Sequence, residues 1–160
     1  MKPGEYGQRS ITRSEEYLAR AERVIPGVSQ TFSKNPNQFV RGVSPVFLNN
    51  GKDGHVWDVD GNEFIDFPMS LLPVVLGHND PDVTTAVQDQ ITEGTIYSLP
   101  HPLEVEVSEM LVEEIPCAEM VRFGKSGTDA TTAAIRVARG FTRRDRVAIC
   151  GYHGWSDWYI

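Results

Sequence analysis

The residues best suited to chemistry lie in Phe123-Gly124-Lys125-Ser126-Gly127-Thr128-Asp129-Ala130. An apolar run precedes this stretch and an alanine-rich helical pattern follows it. The first turn of a helix offers backbone N–H groups with no intrahelical acceptor and a partial positive charge. Gly127 permits close backbone approach, and Ser126 and Thr128 add hydroxyls, so the turn has the parts of a phosphate cup. Ser and Thr also cap helices that bind nothing, so a plain N-cap stands beside the phosphate site as an equal reading of these residues. The Gly-Lys-Ser triplet is not a nucleotide P-loop: that motif needs glycine where Glu119 stands. The dinucleotide fingerprint G-x-G-x-x-G is absent as well.

A second segment, Gly151-Tyr152-His153-Gly154-Trp155, follows the apolar run Arg146-Val147-Ala148-Ile149-Cys150. In open α/β sheets ligands sit beyond the carboxyl ends of the strands. The loops after Phe123 and after Cys150 are therefore expected to face one crevice, where an aromatic ring could stack on a flat heteroaromatic group. The alternative is that Tyr152 and Trp155 are packing residues under a domain that is not part of this chain. Metal chemistry finds no support: His55, His78, His101 and His153 fit no HExxH or Cys/His ligand spacing. His78, after Gly77 and before a turn, reads as a hydrogen-bonding loop residue. Glu104, Glu106 and Glu109 read as a solvated helix face rather than an acid–base pair.

Two kinds of element must position these residues. Thr12 to Glu15 has the form of a capping box, followed by Leu18, Ala21, Val24 and Ile25 at helical spacing and a stop at Pro26-Gly27. Residues 29–42 form a polar linker or covering loop. Val46-Phe47-Leu48, His55-Val56-Trp57-Asp58 and Phe64-Ile65-Asp66-Phe67 read as short strands, the last two joined by a hairpin at Asp60-Gly61. Helices are expected after Asp80-Pro81, with Val83, Ala86, Val87 and Ile91 on one face, and from Pro102 to Pro116, with Leu103, Val107, Met110, Leu111 and Ile115 inward. Strands at Met120-Val121-Arg122-Phe123 and at 146–150 flank a small-residue helix, a right-handed parallel βαβ unit. The fold class is α/β, with residues 1–75 as an N-terminal segment and 76–160 as the start of a larger, mostly parallel-sheet domain. Two parallel strands do not make a covered sheet. With the apolar cluster Trp155, Trp158, Tyr159 and Ile160, they lead to the expectation that this is a fragment of a longer protein.

The chain has 160 residues, 40% hydrophobic and 23% charged, with net charge −7. That acidity disfavours nucleic acid and anionic membrane surfaces as partners. Arg143, Arg144 and Arg146 are a solvated turn on this reading. No apolar run approaches the roughly 20 residues of a membrane span. Residues 1–9 lack a signal-peptide core, and Cys117 and Cys150 form no CxxC, which points to the cytoplasm.

In this context the sequence resembles the class III aminotransferases, fold-type I pyridoxal-phosphate enzymes, and is most similar to their glutamate-1-semialdehyde aminomutase branch. The matching stretches, in family order, are Val56-Trp57-Asp58-Val59-Asp60-Gly61-Asn62-Glu63, Leu76-Gly77-His78, Leu103-Glu104-Val105-Glu106, Met120-Val121-Arg122-Phe123, Ser126-Gly127-Thr128-Asp129-Ala130 and Tyr152-His153-Gly154. The resemblance implies that Ser126, Gly127 and Thr128 hold the phosphate of pyridoxal 5'-phosphate (PLP). It also implies that Tyr152 stacks on the pyridine ring and that His153 and Gly154 shape the same wall. Ser29, Gln30 and Leu71 would lie on the substrate side, and a homodimer would complete each site. The partners implied are a small-molecule amino donor and a carbonyl acceptor. None of Lys2, Lys34, Lys52 and Lys125 matches the family's Schiff-base lysine, which is expected beyond Ile160. By itself this chain is thus expected to be catalytically inert. The aminomutase pattern has an arginine in the loop that here reads Ser29-Gln30-Thr31-Phe32-Ser33-Lys34, and a tryptophan at Leu71. These departures favour transfer to an aldehyde or ketone over the aminomutase reaction. A non-catalytic paralogue of the same fold is the third reading.

Overall fold

The computed structural model describes residues 9–156. Lys2, Trp158, Tyr159 and Ile160 lie outside the described residues. The chain divides into two compact units, one ending at Thr95 and the other beginning at Ile96.

The first unit opens with helix α1 (Thr12–Val24), which buries Leu18 and Ala21. The expected capping box at Thr12 does not form. Ile11 occupies the cap position and supplies no side-chain bond. The carboxylate of Asp60 serves instead, accepting from the Arg13 N–H at 2.8 Å, the Ser14 N–H at 2.9 Å and the Ser14 hydroxyl at 2.6 Å. A full negative charge suits the open N–H groups and dipole of a helix start better than a neutral threonine hydroxyl.

Asp60 is placed there by a hairpin. Strands β1 (Leu48–Lys52), β2 (His55–Asp58) and β3 (Glu63–Ile65) form an antiparallel sheet in that order. In β2–β3, Trp57 faces Glu63 and His55 faces Ile65, and Gly61 takes the positive φ (+87°) that the Asp60-Gly61 turn requires. Asp58 is 3% exposed and holds the turn from inside. Its carboxylate accepts from the Asp60 N–H at 3.0 Å, and from the Asn62 N–H and Asn62 Nδ2, both at 2.8 Å. The first strand begins at Leu48 rather than Val46; just before it the Phe47 carbonyl accepts from the Val59 N–H at 3.1 Å and the Phe47 ring meets Tyr17 at 5.8 Å. The third strand ends at Ile65 rather than Phe67, and the Asp66 N–H adds one last bond in the same register, to the Gly54 carbonyl at 2.9 Å.

Beyond β3 the chain makes a loop, residues 66–78, whose two ends meet at the β1–β2 turn. Asp53 exchanges both backbone hydrogen bonds with His78, each 2.8 Å. Inside the loop Met69, Ser70, Leu71 and Leu72 all have positive φ, from 43° to 81°. A left-handed conformation costs a non-glycine residue roughly 1–2 kcal/mol, so the surrounding bonds must hold this turn. Helix α2 (Pro81–Glu93) follows, its N–H groups at Asp82 and Val83 bonded to the Asp80 carboxylate as the Asp80-Pro81 signal predicts.

The second unit contains α3 (Pro102–Glu114) and α4 (Gly127–Thr142). His101 caps α3 through Nδ1, and Glu104 reaches back to the His101 N–H. Of the residues expected inward, Leu103, Val107 and Met110 on α3 and Ile115 just after it are exposed and Leu111 is half-buried; Val83, Val87 and Ile91 on α2 are exposed. Residues 120–123 and 146–150 pair with no strand among the described residues, so the expected parallel ladder is not formed there. Apolar composition favours extended backbone, but a strand exists only where a neighbour completes its ladder. Arg143 ends α4 in the left-handed conformation, and Arg144 and Arg146 are exposed beside it. Cys117 and Cys150 are free thiols.

Two stability measurements check the hairpin. Asp58→Ala strands the N–H groups of the turn and is expected to cost about 2 kcal/mol by denaturant unfolding; a loss below the error of the fit would contradict the role given to it. For Asp60, burial is the largest influence and raises the carboxyl. Hydrogen bonds from the Ser14 hydroxyl, the Arg13 and Ser14 N–H groups and Ser10 lower it, to a net position below the ordinary 3.8. A depressed folded value means the stabilisation is complete above 3.8 and is lost as pH falls through that lower value. The melting-temperature gap between wild type and Asp60→Asn should therefore be flat above pH 5 and close in acid. A gap that widens on acidification contradicts the assignment.

Candidate functional site

Ser126 caps α4. Its Oγ accepts from the Asp129 N–H at 3.3 Å and donates to Asp129 Oδ2 at 3.0 Å. The same carboxylate oxygen accepts the N–H groups of Ser126 (2.9 Å) and Lys125 (3.1 Å). The plain-cap reading of Ser126 is thus realised in the structure. It leaves the next two donors open: the N–H groups of Gly127 and Thr128 meet no acceptor among the described residues. Gly127 is exposed and Thr128 half-buried. The donor set available to an anion is therefore two backbone N–H groups and the Thr128 hydroxyl at the positive end of a 16-residue helix. The Asp129 carboxylate opposes an anion at Ser126 and directs it toward Gly127 and Thr128.

The loop after Cys150 comes to this same turn. Gly154 is the one buried residue among the described residues of the second unit. A Cβ added to it would lie 2.8 Å from Thr128 Oγ1 and 3.3 Å from Thr128 Cα, and its φ is +116°. Only glycine fits both the contact and the backbone. One turn along, the Thr131 hydroxyl donates to the His153 carbonyl at 2.8 Å, and Thr132 Oγ1 pairs with Ser156 Oγ at 3.1 Å. His153 Nε2 lies 2.5 Å from the Cys150 carbonyl, folding the loop on itself. Thr128, His153 and Gly154 are thus gathered at one helix end. Tyr152 and Trp155 are 76% and 72% exposed.

The residues expected on the substrate side belong to the first unit. Ser29 closes a small turn with Thr31 through its hydroxyl, Gln30 is exposed, and Leu71 lies in the positive-φ run, 50% exposed. His78 takes the hydrogen-bonding role expected of it, with Nε2 2.7 Å from Asp66 Oδ2. Sequence reasoning passed over Thr131 and Thr132. Their spacing from Thr128 along α4 was the available signal, because i, i+3 and i+4 share a helix face. No group of three metal-ligating side chains gathers among the described residues, and no described helix is long and apolar enough to cross a membrane.

Comparison with known proteins gives this arrangement a context. A solved transaminase with PLP bound superposes with a TM-score of 0.84 at 32% identity, over 94% of this chain and 35% of that one. The fold is that of the N-terminal part of a fold-type I PLP transaminase. The family model "Aminotransferase class-III" matches residues 38–158, and the chain belongs to that family. It is 41% identical over 151 residues to a 3-aminobutyryl-CoA aminotransferase of Cloacimonas acidaminovorans, across 94% of this chain and 36% of that protein. It is 43% identical over 149 residues to a glutamate-1-semialdehyde 2,1-aminomutase of an Anaeromyxobacter species, across 90% and 34%. The chain spans about a third of the length of the curated relatives it matches.

The seat of the second loop is open to a direct test. Gly154→Ala forces Thr128 or the loop to move, and should lower the melting temperature and shift the amide resonances of Thr128 and Thr131. Adding Thr128→Ala removes the closest contact and should recover part of the loss, while the φ strain remains. Additive losses in the double variant would show that Gly154 and Thr128 are not coupled.

Proposed function

We propose that this chain is the N-terminal part of a PLP-dependent aminotransferase that moves an amino group from a small-molecule donor to an aldehyde or ketone. The observation that carries the proposal is the seating of Gly154 on Thr128, which brings the 151–154 loop to a helix end with open donors. The residues present fit the cofactor's phosphate. Gly127 and Thr128 would bind it through their N–H groups and the Thr128 hydroxyl, with Ser126 holding the cap geometry. Tyr152, beside this turn and exposed, would stack on the ring, and His153 and Gly154 would form the adjoining wall. When bound, PLP supplies an electron sink for bonds to the amino-bearing carbon. The chain's own task is to fix the phosphate end, so that the reacting end is held in one place. None of its lysines is assigned the covalent role, which is proposed for a lysine beyond Ile160.

The same proposal divides the chain into an N-terminal segment, 1–75, and the first part of the PLP-binding domain, 76–160. Ser29, Gln30 and Leu71 lie on the substrate side, and the protein is a cytoplasmic homodimer. An aminomutase, shifting the amino group within one molecule, is the second reading. The identity to the Anaeromyxobacter aminomutase supports it. The missing loop arginine and the leucine at position 71 weigh against it.

The decisive measurement uses the full-length protein. The purified enzyme should show the visible absorbance of bound PLP and pass an amino group between donor and acceptor. Thr128→Ala removes one charge-assisted hydrogen bond and should weaken PLP binding about 10- to 100-fold. A full-length protein that takes up no PLP and transfers no amino group would falsify the proposal.

A further inference from the structure

The loop spanning residues 66–78 is closed by a set of bonds that no part of the proposed reaction uses. At its start the Asp66 N–H donates to the Gly54 carbonyl at 2.9 Å, and at its end His78 pairs with Asp53 through two backbone bonds. The side chains of these two ends also meet, His78 Nε2 to Asp66 Oδ2 at 2.7 Å, with side chains only 18% and 10% exposed. The other Asp66 oxygen, Oδ1, accepts the Met69 N–H at 3.1 Å. Met69 is the first of the four consecutive positive-φ residues, and Leu71 is the third.

The packing around His78 leaves it little freedom. A Cβ on Gly51 would lie 2.7 Å from the imidazole Cγ, so the ring rests directly on the β1 backbone. A Cβ on Gly77, whose φ is +97°, would lie 3.0 Å from Asp53 Cα. Two glycines thus admit the ring and the loop end, and the ring fixes the Asp66 carboxylate. One oxygen of that carboxylate engages the ring and the other engages the strained turn. The turn's remaining bonds are internal: Leu72 N–H to the Pro68 and Met69 carbonyls, and Val74 N–H to the Met69 carbonyl at 3.4 Å. Within the described residues, Asp66 is the side chain that ties the turn to the loop base.

We infer that Asp66 and His78 are a positioning pair: they hold the left-handed turn at residues 69–72 and through it set the placement of Leu71 for the substrate. The functional half of this inference rests on the substrate-side role proposed for Leu71; the structural half does not. The imidazole Nε2 is the donor atom, so glutamine, whose Nε2 reaches a similar position, can replace it, and alanine cannot.

The test is made in the full-length protein with His78→Ala, His78→Gln and Asp66→Asn. Amide hydrogen exchange at Met69, Leu72 and Val74 should quicken at least tenfold in His78→Ala and Asp66→Asn and return toward wild type in His78→Gln, while exchange in α4 is unchanged. In the same proteins the KM for the carbonyl acceptor should rise severalfold in His78→Ala, with the visible absorbance of bound PLP retained, and fall back in His78→Gln. Unchanged exchange in folded His78→Ala overturns the inference. Quickened exchange with an unaltered KM overturns its functional half. Should the wild-type protein bind no PLP, the proposed function fails, and the exchange measurement still decides whether the pair holds the turn.

Discussion

The constraint on which the proposed site depends is the approach of Gly154 to Thr128. Helix starts with open N–H groups are common, and each by itself is only a cap. This one differs because a second loop, arriving from the far end of α4 by way of residues 146–150, settles on its first turn. The contact is too close for any side chain at Gly154, and the hydroxyls of Thr131 and Thr132 bind the same loop one turn further on. A helix start with its own donors and a loop carrying an exposed aromatic ring are thereby placed together. The chemistry read from Gly127, Thr128 and Tyr152 has meaning only because that placement holds.

The first unit achieves order by another route, with carboxylates in place of a large core. Among the described residues Leu18, Ala21, Pro36 and Val56 are its buried apolar side chains, a small set for a unit of this length. Asp58 ties the hairpin turn, Asp60 caps a helix more than forty residues earlier in sequence, Asp66 joins His78 to the strained loop, and Asp80 caps α2. Each of these carboxylates accepts backbone N–H groups that would otherwise lack partners. Acidic residues that look like a solubility coating in the composition are therefore partly structural. Part of the acidity behind the net charge of −7 is thus built into the fold.

Local signals were legible in the sequence where the physics is local. The Asp60-Gly61 turn, Asp80-Pro81 before α2, Pro102 before α3 and Ser126 before α4 all act over two to four residues, and all appear where the pattern predicts them. The cap of α1 was illegible because its acceptor, Asp60, comes from another element. A Thr-x-x-Glu pattern carries no information about a competing carboxylate supplied by tertiary structure. The extended runs at 120–123 and 146–150 were legible as apolar segments but not as strands, since pairing belongs to the sheet and not to the segment. The positive-φ run at 69–72 gave no sign at all: Met, Ser, Leu and Leu are ordinary residues in that order, and only the loop base reveals what holds them.

The same limit applies to the exposed helix faces. The spacing of Leu103, Val107 and Met110 on α3, and of Val83, Val87 and Ile91 on α2, predicts an inward face, and that spacing is present in both helices. An amphipathic helix in water gains most of its stability from covering its apolar stripe. Buried apolar area, at about 25 cal/mol per Å², is what these two stripes lack within this chain. The chain covers about a third of the length of the relatives it matches. Periodicity reports which face of a helix is built to be covered; it does not say by which part of a protein. The site at the start of α4 escapes this difficulty because Ser126, Thr128, Thr131, His153 and Gly154 all lie inside the second unit and meet one another there.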